Sequence, residues 1–194
     1  MNQGQWAGSV AVCLASGPSL TPDDVERVRH WQGPGRYVLV ANTTFKAAPW
    51  ADVLYAQDAK WWREYFTAVK AEFKGAAYSG QSMPRHFGAH KFGLPKADNF
   101  CNSGAAIISM SIYAGCEKVI LLGFDCKRGP NGEVHHHGNH PKGMSNAASM
   151  ISWPKRFARV AELAANKGVE VVNCSRGTAL TCFARAELDD VLDS

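Results

Sequence analysis

Residues 9 to 24 read Ser-Val-Ala-Val-Cys-Leu-Ala-Ser-Gly-Pro-Ser-Leu-Thr-Pro-Asp-Asp, and this stretch indicates the fold of the whole chain. Its first seven residues are almost continuously apolar, which is typical of a strand covered on both faces in a parallel sheet. A tight loop follows, and then Thr21 and Pro22 supply an N-cap and a first helical residue. The two aspartates that come next are favoured by the dipole of a helix N-terminus. The stretch therefore predicts a strand, a tight loop and a helix, in that order.

The same alternation continues along the rest of the chain. Apolar runs predict further strands at residues 37–41, 51–55, 76–78, 118–122 and 169–173. Helices are predicted at residues 60–73, at 102–114, at about 147–167 with position 154 as an alternative start, and, as a short one, near 178–183. Strands that alternate with helices predict an α/β fold, a three-layer Rossmann-like sandwich with a mainly parallel sheet. We expect one domain over residues 1–194, with irregular excursions at about 79–101 and 126–146.

Length and composition exclude several classes of protein. The chain has 194 residues, of which 46% are hydrophobic and 10% aromatic, and its formal net charge is +4. A chain of this length buries roughly 70% of the surface that its unfolded form exposes, so its core needs no disulfide or metal. The aromatic content and the modest charge exclude disorder. Since no apolar run approaches the roughly 20 residues that cross a bilayer, we expect no membrane span.

The cysteines and the charge distribution indicate a compartment and a kind of partner. The six cysteines are scattered without Cys-x-x-Cys spacing, and the N-terminus lacks the pattern of a signal peptide, so we expect a reducing cytoplasm. The excess positive charge is spread along the chain, which suits a small anionic ligand and does not indicate nucleic acid. The oligomeric state is left open.

Candidate binding residues follow the predicted strands or open the predicted helices. In an open parallel sheet, ligands bind beyond the carboxyl ends of the strands, where loops and helix N-termini converge. This rule selects Gly17, Pro18, Ser19, Asn42, Gln57, Asp58, Asn102, Ser103, Gly104 and Asp125.

The loop after the first strand matches neither the Gly-x-Gly-x-x-Gly fingerprint nor a Walker loop. Gly17 permits a close backbone approach, Pro18 fixes a dihedral angle, and Ser19 adds an amide and a hydroxyl near a helix N-terminus, which suits a phosphate. An ordinary capped turn explains the same residues. Asn42 is likewise typical either of a ligand contact or of left-handed turn geometry. Residues 102–104 fit either an anion site or an ordinary helix N-cap.

The most conspicuous motif is His135-His136-His137-Gly138-Asn139-His140. Three consecutive histidines in a loop cannot all face one ion, and zinc usually recruits separated ligands from rigid elements, so we expect no metal. An imidazole with an ordinary pKa near 6.5 can accept a proton from a hydroxyl at neutral pH. We therefore interpret a histidine of this loop as a candidate general base, with a contact to a nucleotide phosphate or a solvated polar loop as the alternatives. The family resemblance given next selects His136 and His140.

Six motifs in this order resemble a known superfamily. They are Leu-Ala-Ser-Gly-Pro-Ser-Leu at 14–20, Val-Ala-Asn-Thr-Thr-Phe at 40–45, Asn-Ser-Gly-Ala-Ala at 102–106, Val-Ile-Leu-Leu-Gly-Phe-Asp at 119–125, the His136 and His140 pair, and Val-Val-Asn-Cys-Ser at 171–175. The set is similar to the bacterial sialyltransferases that use CMP-sialic acid (glycosyltransferase family forty-two). It is also similar to the broader Gly-Pro-Ser-Leu proteins, which include the archaeal hydroxymethylpterin pyrophosphokinase and short phage-encoded versions. The resemblance covers roughly residues 10–185.

The resemblance to sialyltransferases implies metal-independent transfer of a sugar from a nucleotide sugar. It implies that residues 17–19 hold the nucleotide phosphate and that His140 deprotonates the acceptor hydroxyl. It also implies donor contacts at Asn42, Gln57, Asp58, Asn102, Ser103 and Gly104. The family's tyrosines before the histidines are missing, because residues 126–134 contain none, and Lys127, Arg128 or Lys142 are the candidates to replace them.

Two alternatives remain. The resemblance to the pterin enzyme implies a pyrophosphoryl or nucleotidyl transferase in which Asp125 and Asp58 hold Mg²⁺. The other alternative is a module that binds a nucleotide without catalysis. Only the first of these requires a cofactor.

Overall fold

The computed structural model describes residues 1–80, 87–92, 94–95, 102–141, 144 and 150–192. Eight strands are present in these ranges: β1 (Val10–Leu14), β2 (Arg36–Ala41), β3 (Val53–Tyr55), β4 (Ala76–Ser79), β5 (His90–Lys91), β6 (Lys118–Leu122), β7 (Glu170–Asn173) and β8 (Ala184–Arg185). They form one sheet in the order β5-β4-β3-β2-β1-β6-β7-β8, and all of the neighbouring strands are parallel. The chain order reverses between β1 and β6. This topological switch point is the place where an open α/β sheet binds its ligands.

Helices cover both faces of the sheet. They are α1 (Pro22–Trp31), α2 (Ala59–Glu72), α3 (Ser103–Ala114), α4 (Trp153–Lys167) and α5 (Leu188–Leu192), with 3₁₀ helices at Asn42–Lys46 and Met150–Ser152. Alternate residues of β1 point to opposite faces: Ala11 and Cys13 join the core beneath α3 and α4, whereas Val12 and Leu14 join the core beneath α1, α2 and α5. The predicted three-layer Rossmann-like sandwich is confirmed.

Helix α3 is the most deeply buried helix of the described chain, with 11 of its 12 residues buried. It packs across β1, β2, β3 and β6. Its start is capped by Asn102, whose Oδ1 accepts a hydrogen bond from the Ala105 amide at 3.0 Å. Its end is capped by Gly115 in the left-handed conformation, with φ of 95°. The N-terminus of α3 is thereby fixed relative to the ends of the central strands.

The short helix predicted near residues 178–183 is wrong. Thr178 Oγ1 donates to the carbonyl of Phe124 at 2.7 Å, and the Ala179 amide donates to the carbonyl of Asp125 at 2.7 Å. These bonds hold the segment against the loop after β6. The segment is therefore bonded to a distant part of the chain instead of forming the hydrogen bonds of a helix. Strands β5 and β8 and helix α5, none of which was predicted, are only two, two and five residues long.

The later of the two predicted starts for α4 is close to the observed one. The helix begins at Trp153, and Pro154 stands in its first turn, where the missing N–H of proline has no acceptor to lose. Residues 147–149, which the longer prediction included, lie outside the described ranges, as does Lys142.

Of the helices that the structure describes, none is both long and apolar enough for a bilayer crossing. Five cysteines in the described ranges are free thiols: Cys13, Cys116, Cys126, Cys174 and Cys182. The sixth, Cys101, lies outside those ranges.

The loops after β1 and β6 are locked together at the switch point. The Gly17 amide donates to the Gly123 carbonyl at 2.8 Å, and the Asp125 carboxylate accepts from the Ser19 amide at 2.8 Å and from the Ser19 hydroxyl at 2.6 Å. A Cβ at Gly17 would lie 2.4 Å from both Asp125 Oδ1 and the Gly123 carbonyl oxygen. At Gly123 a Cβ would lie 2.3 Å from the Ala15 carbonyl oxygen. Both glycines are therefore required for the close approach of the two loops.

Gly17→Ala is expected to destabilise the fold by about 1–3 kcal/mol, because the added methyl group overpacks the contact with Asp125 and Gly123. Urea unfolding measures the change. Gly33→Ala is the matched control, since a Cβ there meets no atom within 4 Å. Equal midpoints for the two variants would contradict the proposed packing constraint.

Candidate functional site

A cavity of about 600 Å³ lies at the carboxyl ends of the central strands. Loops after β1, β2, β3 and β6 contribute to its wall, together with the start of α3 and the loop that carries the histidines. Nine of the twelve predicted site residues line it: Gly17, Asn42, Gln57, Asp58, Asn102, Ser103, Gly104, Asp125 and His140. Residues that are far apart in the sequence thus meet at one site.

The other three predicted residues do not line this cavity. Ser19 directs its amide and hydroxyl to Asp125, as described above, and Pro18 stands between Gly17 and Ser19 in the same loop. His136 is held by its backbone, since its amide donates to the Ser16 carbonyl at 3.0 Å. Of the two candidate bases, only His140 borders the cavity.

The first turn of α3 presents backbone amides to the cavity. An α-helix has no internal acceptor for its first N–H groups, and Asn102 satisfies only the amide of Ala105. Among the described residues, the amides of Ser103 and Gly104 have no hydrogen-bond acceptor, so they suit an anion at the positive end of the helix dipole. Asn102 thus has a capping role and also places these amides.

Gln57 is fixed by two hydrogen bonds, one of them to the start of α3. Its amide donates to Ser103 Oγ at 3.1 Å, and its Oε1 accepts from the Tyr55 hydroxyl at 2.5 Å. The bond from Tyr55 sets the orientation of the side-chain amide, so that the Gln57 nitrogen stays available as a donor. Asp58 precedes α2 and makes no capping bond with its side chain.

Asn42 follows β2 in left-handed conformation, with φ of 52°. This is the turn geometry that the sequence left open as one interpretation. Its Oδ1 is nevertheless buried without a hydrogen-bond partner in the described part of the chain. A buried orphan acceptor at the cavity wall is costly unless a bound donor satisfies it.

Burial raises the pKa of Asp125, and the hydrogen bonds from Ser19 and the charge of Lys127 oppose that rise. Both carboxylate oxygens are engaged by Ser19, so the primary contact of this group is structural. Lys127 and Lys60 add positive charge to the lining of the cavity.

The histidines form a packed cluster. The ring of His135 lies 5.1 Å from that of His137 and 4.9 Å from that of His140, and the rings of His137 and His140 are 5.1 Å apart. His140 Nδ1 is 3.4 Å from the Tyr65 hydroxyl, and His135 Nδ1 is 2.9 Å from Ser16 Oγ. In the ranges that the structure describes, no three His, Cys, Asp or Glu side chains are placed to hold a metal ion.

All four histidines of the cluster favour the neutral form. Burial, with a smaller contribution from neighbouring histidines, lowers the pKa of His135 to about 4 and that of His137 to about 3. Burial also lowers the pKa values of His136 and His140. At neutral pH the cluster is therefore uncharged, and its ring nitrogens are able to accept protons.

The sequence interpretation missed the apolar wall of the cavity and the role of His135. Among the described residues, seven large apolar side chains line it: Trp61, Phe124, Val134, Met144, Met150, Trp153 and Phe157. Gly104 packs closely against this wall, since a Cβ there would lie 3.1 Å from Phe124 and 3.5 Å from Phe157. The sequence signal for these residues was weak, because several of them belong to loops in which apolar residues follow no helical or strand periodicity.

The fold and the site define a Rossmann-like α/β protein with a polar and apolar cavity at its switch point. Comparisons with protein-family models, with curated proteins and with solved structures find no match to this chain. The function is therefore inferred from the chemistry of the cavity.

The free energy of unfolding is expected to fall as the pH is lowered from 6.5 towards 4. His135 and His137 are neutral in the folded protein and regain an ordinary pKa near 6.5 on unfolding, so the unfolded chain binds more protons in this window. For His135 the loss amounts to about 2 kcal/mol between pH 6.5 and 5. Urea unfolding at a series of pH values measures it.

His135→Gln is expected to show a shallower pH dependence than the wild type. His30→Gln, at an exposed position of α1, is the control and is expected to leave the slope steep. An unchanged slope in His135→Gln would show that this histidine does not bind its proton preferentially in the unfolded state.

Proposed function

We propose that the protein is a glycosyltransferase that moves a sugar from a nucleotide sugar of the CMP-sugar type to an acceptor hydroxyl. The observation that carries the proposal is that one cavity is lined by a neutral imidazole, His140, and by the start of α3, whose first amides have no acceptor among the described residues. The volume of about 600 Å³ is in the ordinary range for small-molecule sites. The cavity therefore has room for a nucleotide sugar.

The phosphate of the donor is assigned to the start of α3. Ser103 and Gly104, the first two residues of α3, line the cavity at a helix N-terminus, and Lys127 adds a cation to the same lining. In this scheme the chain's own donors and cations balance the charge of the leaving nucleotide, and no metal is required. Asn42 Oδ1 and the Gln57 side-chain nitrogen are left to contact hydroxyl, amino or carbonyl groups of the donor.

The proton of the acceptor is assigned to His140. The acceptor oxygen attacks the anomeric carbon while its proton passes to the imidazole, and the bond between that carbon and the phosphate oxygen breaks. The electron pair of this bond leaves with the nucleotide. The Tyr65 hydroxyl, 3.4 Å from Nδ1, orients the ring. Free thiols throughout the described ranges suit a reducing compartment such as the cytoplasm.

A nucleotide panel tests the proposed donor. CMP, CTP and CMP-sugars are expected to raise the melting temperature by about 5 °C or more at 100 times Kd, without Mg²⁺. The measurement is a thermal shift with and without Mg²⁺. Failure of CMP and UMP derivatives to bind at millimolar concentration contradicts the proposal, and stabilisation by ATP only with Mg²⁺ would favour the pyrophosphoryl-transfer alternative.

Lys127→Ala is expected to reduce the rate of sugar transfer by about 10²-fold, because it removes a cation that faces the leaving phosphate. Arg128→Ala is the matched control, since the Arg128 guanidinium donates to the Gly132 carbonyl of its own loop at 3.0 Å and is exposed. Transfer rates are measured as nucleotide release in the presence of acceptor. Equal rates for the two variants would remove Lys127 from the mechanism.

His140→Ala is expected to abolish transfer and to change the Kd of the nucleotide less than threefold, since the ring acts on the acceptor proton. Titration calorimetry gives the Kd and nucleotide release gives the rate. Tight binding without turnover in the wild type, unaltered in His140→Ala, would instead indicate a module that binds a nucleotide without catalysis.

A further inference from the structure

A second pair of reactive groups lines the same cavity and has no part in the proposed sugar transfer. Ser16 lies two residues beyond Leu14, the last residue of β1, and His135 lies in the histidine loop. Ser16 Oγ and His135 Nδ1 are 2.9 Å apart, within hydrogen-bond distance. A serine hydroxyl bonded to a buried imidazole is the arrangement in which a histidine activates a nucleophile.

We propose that Ser16 is a nucleophile and His135 its general base, and that together they cleave carboxylic esters through an acyl-serine intermediate. This activity is independent of the proposed sugar transfer, and it does not require a nucleotide.

A backbone hydrogen bond also holds the Ser16 loop and the histidine loop together. The amide of His136 donates to the Ser16 carbonyl at 3.0 Å, so the serine is bound to the histidine loop through both its main chain and its side chain. His135 is 8% exposed, and its ring packs against the rings of His137 and His140. The hydroxyl and the imidazole are therefore positioned before any substrate binds, which is the condition for efficient proton transfer.

His135 is uncharged at neutral pH, because burial and the neighbouring histidines disfavour its protonated form. It can therefore accept the serine proton. Its Nε2 is buried without a hydrogen-bond partner in the described ranges, and no carboxylate bonds to it, so the pair is a dyad. A weakly basic imidazole without a carboxylate partner is expected to give a slower reaction than a full triad.

The developing negative charge needs donors at the same site. The Gly17 amide, which follows the nucleophile, is bonded to the Gly123 carbonyl and so cannot serve. The amides of Ser103 and Gly104 at the start of α3 border the same cavity as Ser16 and supply the donors for a tetrahedral oxyanion.

The reaction balances without a cofactor. Ser16 Oγ bonds to the ester carbonyl carbon as its proton passes to His135 Nδ1. The carbon to alkoxide bond then breaks, and the alkoxide leaves with that proton as an alcohol. Water next attacks the acyl carbon and gives its proton to His135, which returns it to Ser16 Oγ as the acid departs.

A fluorophosphonate probe tests the nucleophile without knowledge of the natural substrate. The serine oxygen attacks phosphorus and fluoride leaves, so an active serine gains a stable adduct. Intact mass spectrometry and peptide mapping of the full wild-type chain are expected to show one adduct, on Ser16. Absence of an adduct on wild-type Ser16 overturns the proposal, whatever the variants do, and leaves the 2.9 Å contact as a loop anchor.

Variants then test the role of each group. Ser16→Ala is expected to lose the adduct, and His135→Gln to slow labelling by about 10²-fold or more. Thr67→Ala and His30→Gln, at exposed positions of α2 and α1, are the controls and are expected to label at the wild-type rate. The rate of p-nitrophenyl acetate hydrolysis is expected to rank these proteins in the same order as the rate of labelling. Equal labelling of wild type and His135→Gln would exclude His135 as the base.

The two proposals can fail separately. Labelling of Ser16 in a protein that binds no nucleotide supports the ester-cleaving pair and contradicts the sugar transfer. Nucleotide binding in a protein whose Ser16 does not react with the probe contradicts the pair alone.

Discussion

The contact between the loops after β1 and β6 is the constraint on which the cavity depends. Two parallel central strands end side by side, and their loops must separate to begin different crossovers. The Asp125 carboxylate holds the loop of β1 through both the amide and the hydroxyl of Ser19, and the glycines at 17 and 123 allow the backbones to come this close. Residues that flank this contact in the two loops, Ser16 and Lys127 among them, line the same cavity.

Much of the fold was predictable from the sequence, because its strong signals are local. Buried parallel strands are short apolar runs, and Thr21 and Asp24 form the capping box that begins α1. The segment at 178–183 could not be predicted in this way. The Thr178 hydroxyl and the Ala179 amide donate to the carbonyls of Phe124 and Asp125, more than fifty residues earlier in the chain, and no local pattern encodes such partners.

The candidate site was also predictable only where its signals are local. Polar residues at strand ends were expected to gather at one edge of the sheet, and nine of the twelve line the cavity. The burial of His135 depends on its contact with Ser16, which lies 119 residues earlier in the chain. The sequence therefore indicated a cluster of histidines but not which of them is buried. In the folded chain the amide and hydroxyl of Ser19 donate to Asp125, 106 residues later in the sequence, and no local pattern around Ser19 indicates this partner.

Helix α3 has a consequence for how a ligand enters. Nearly all of its surface is embedded in the core, and the amides at its start belong to that rigid body. Ligand binding there requires little reorganisation, so the entropy lost on association is small for this half of the site. Adjustment to ligands of different shape is left to the histidine loop, which has neither helix nor strand from Cys126 to Pro141.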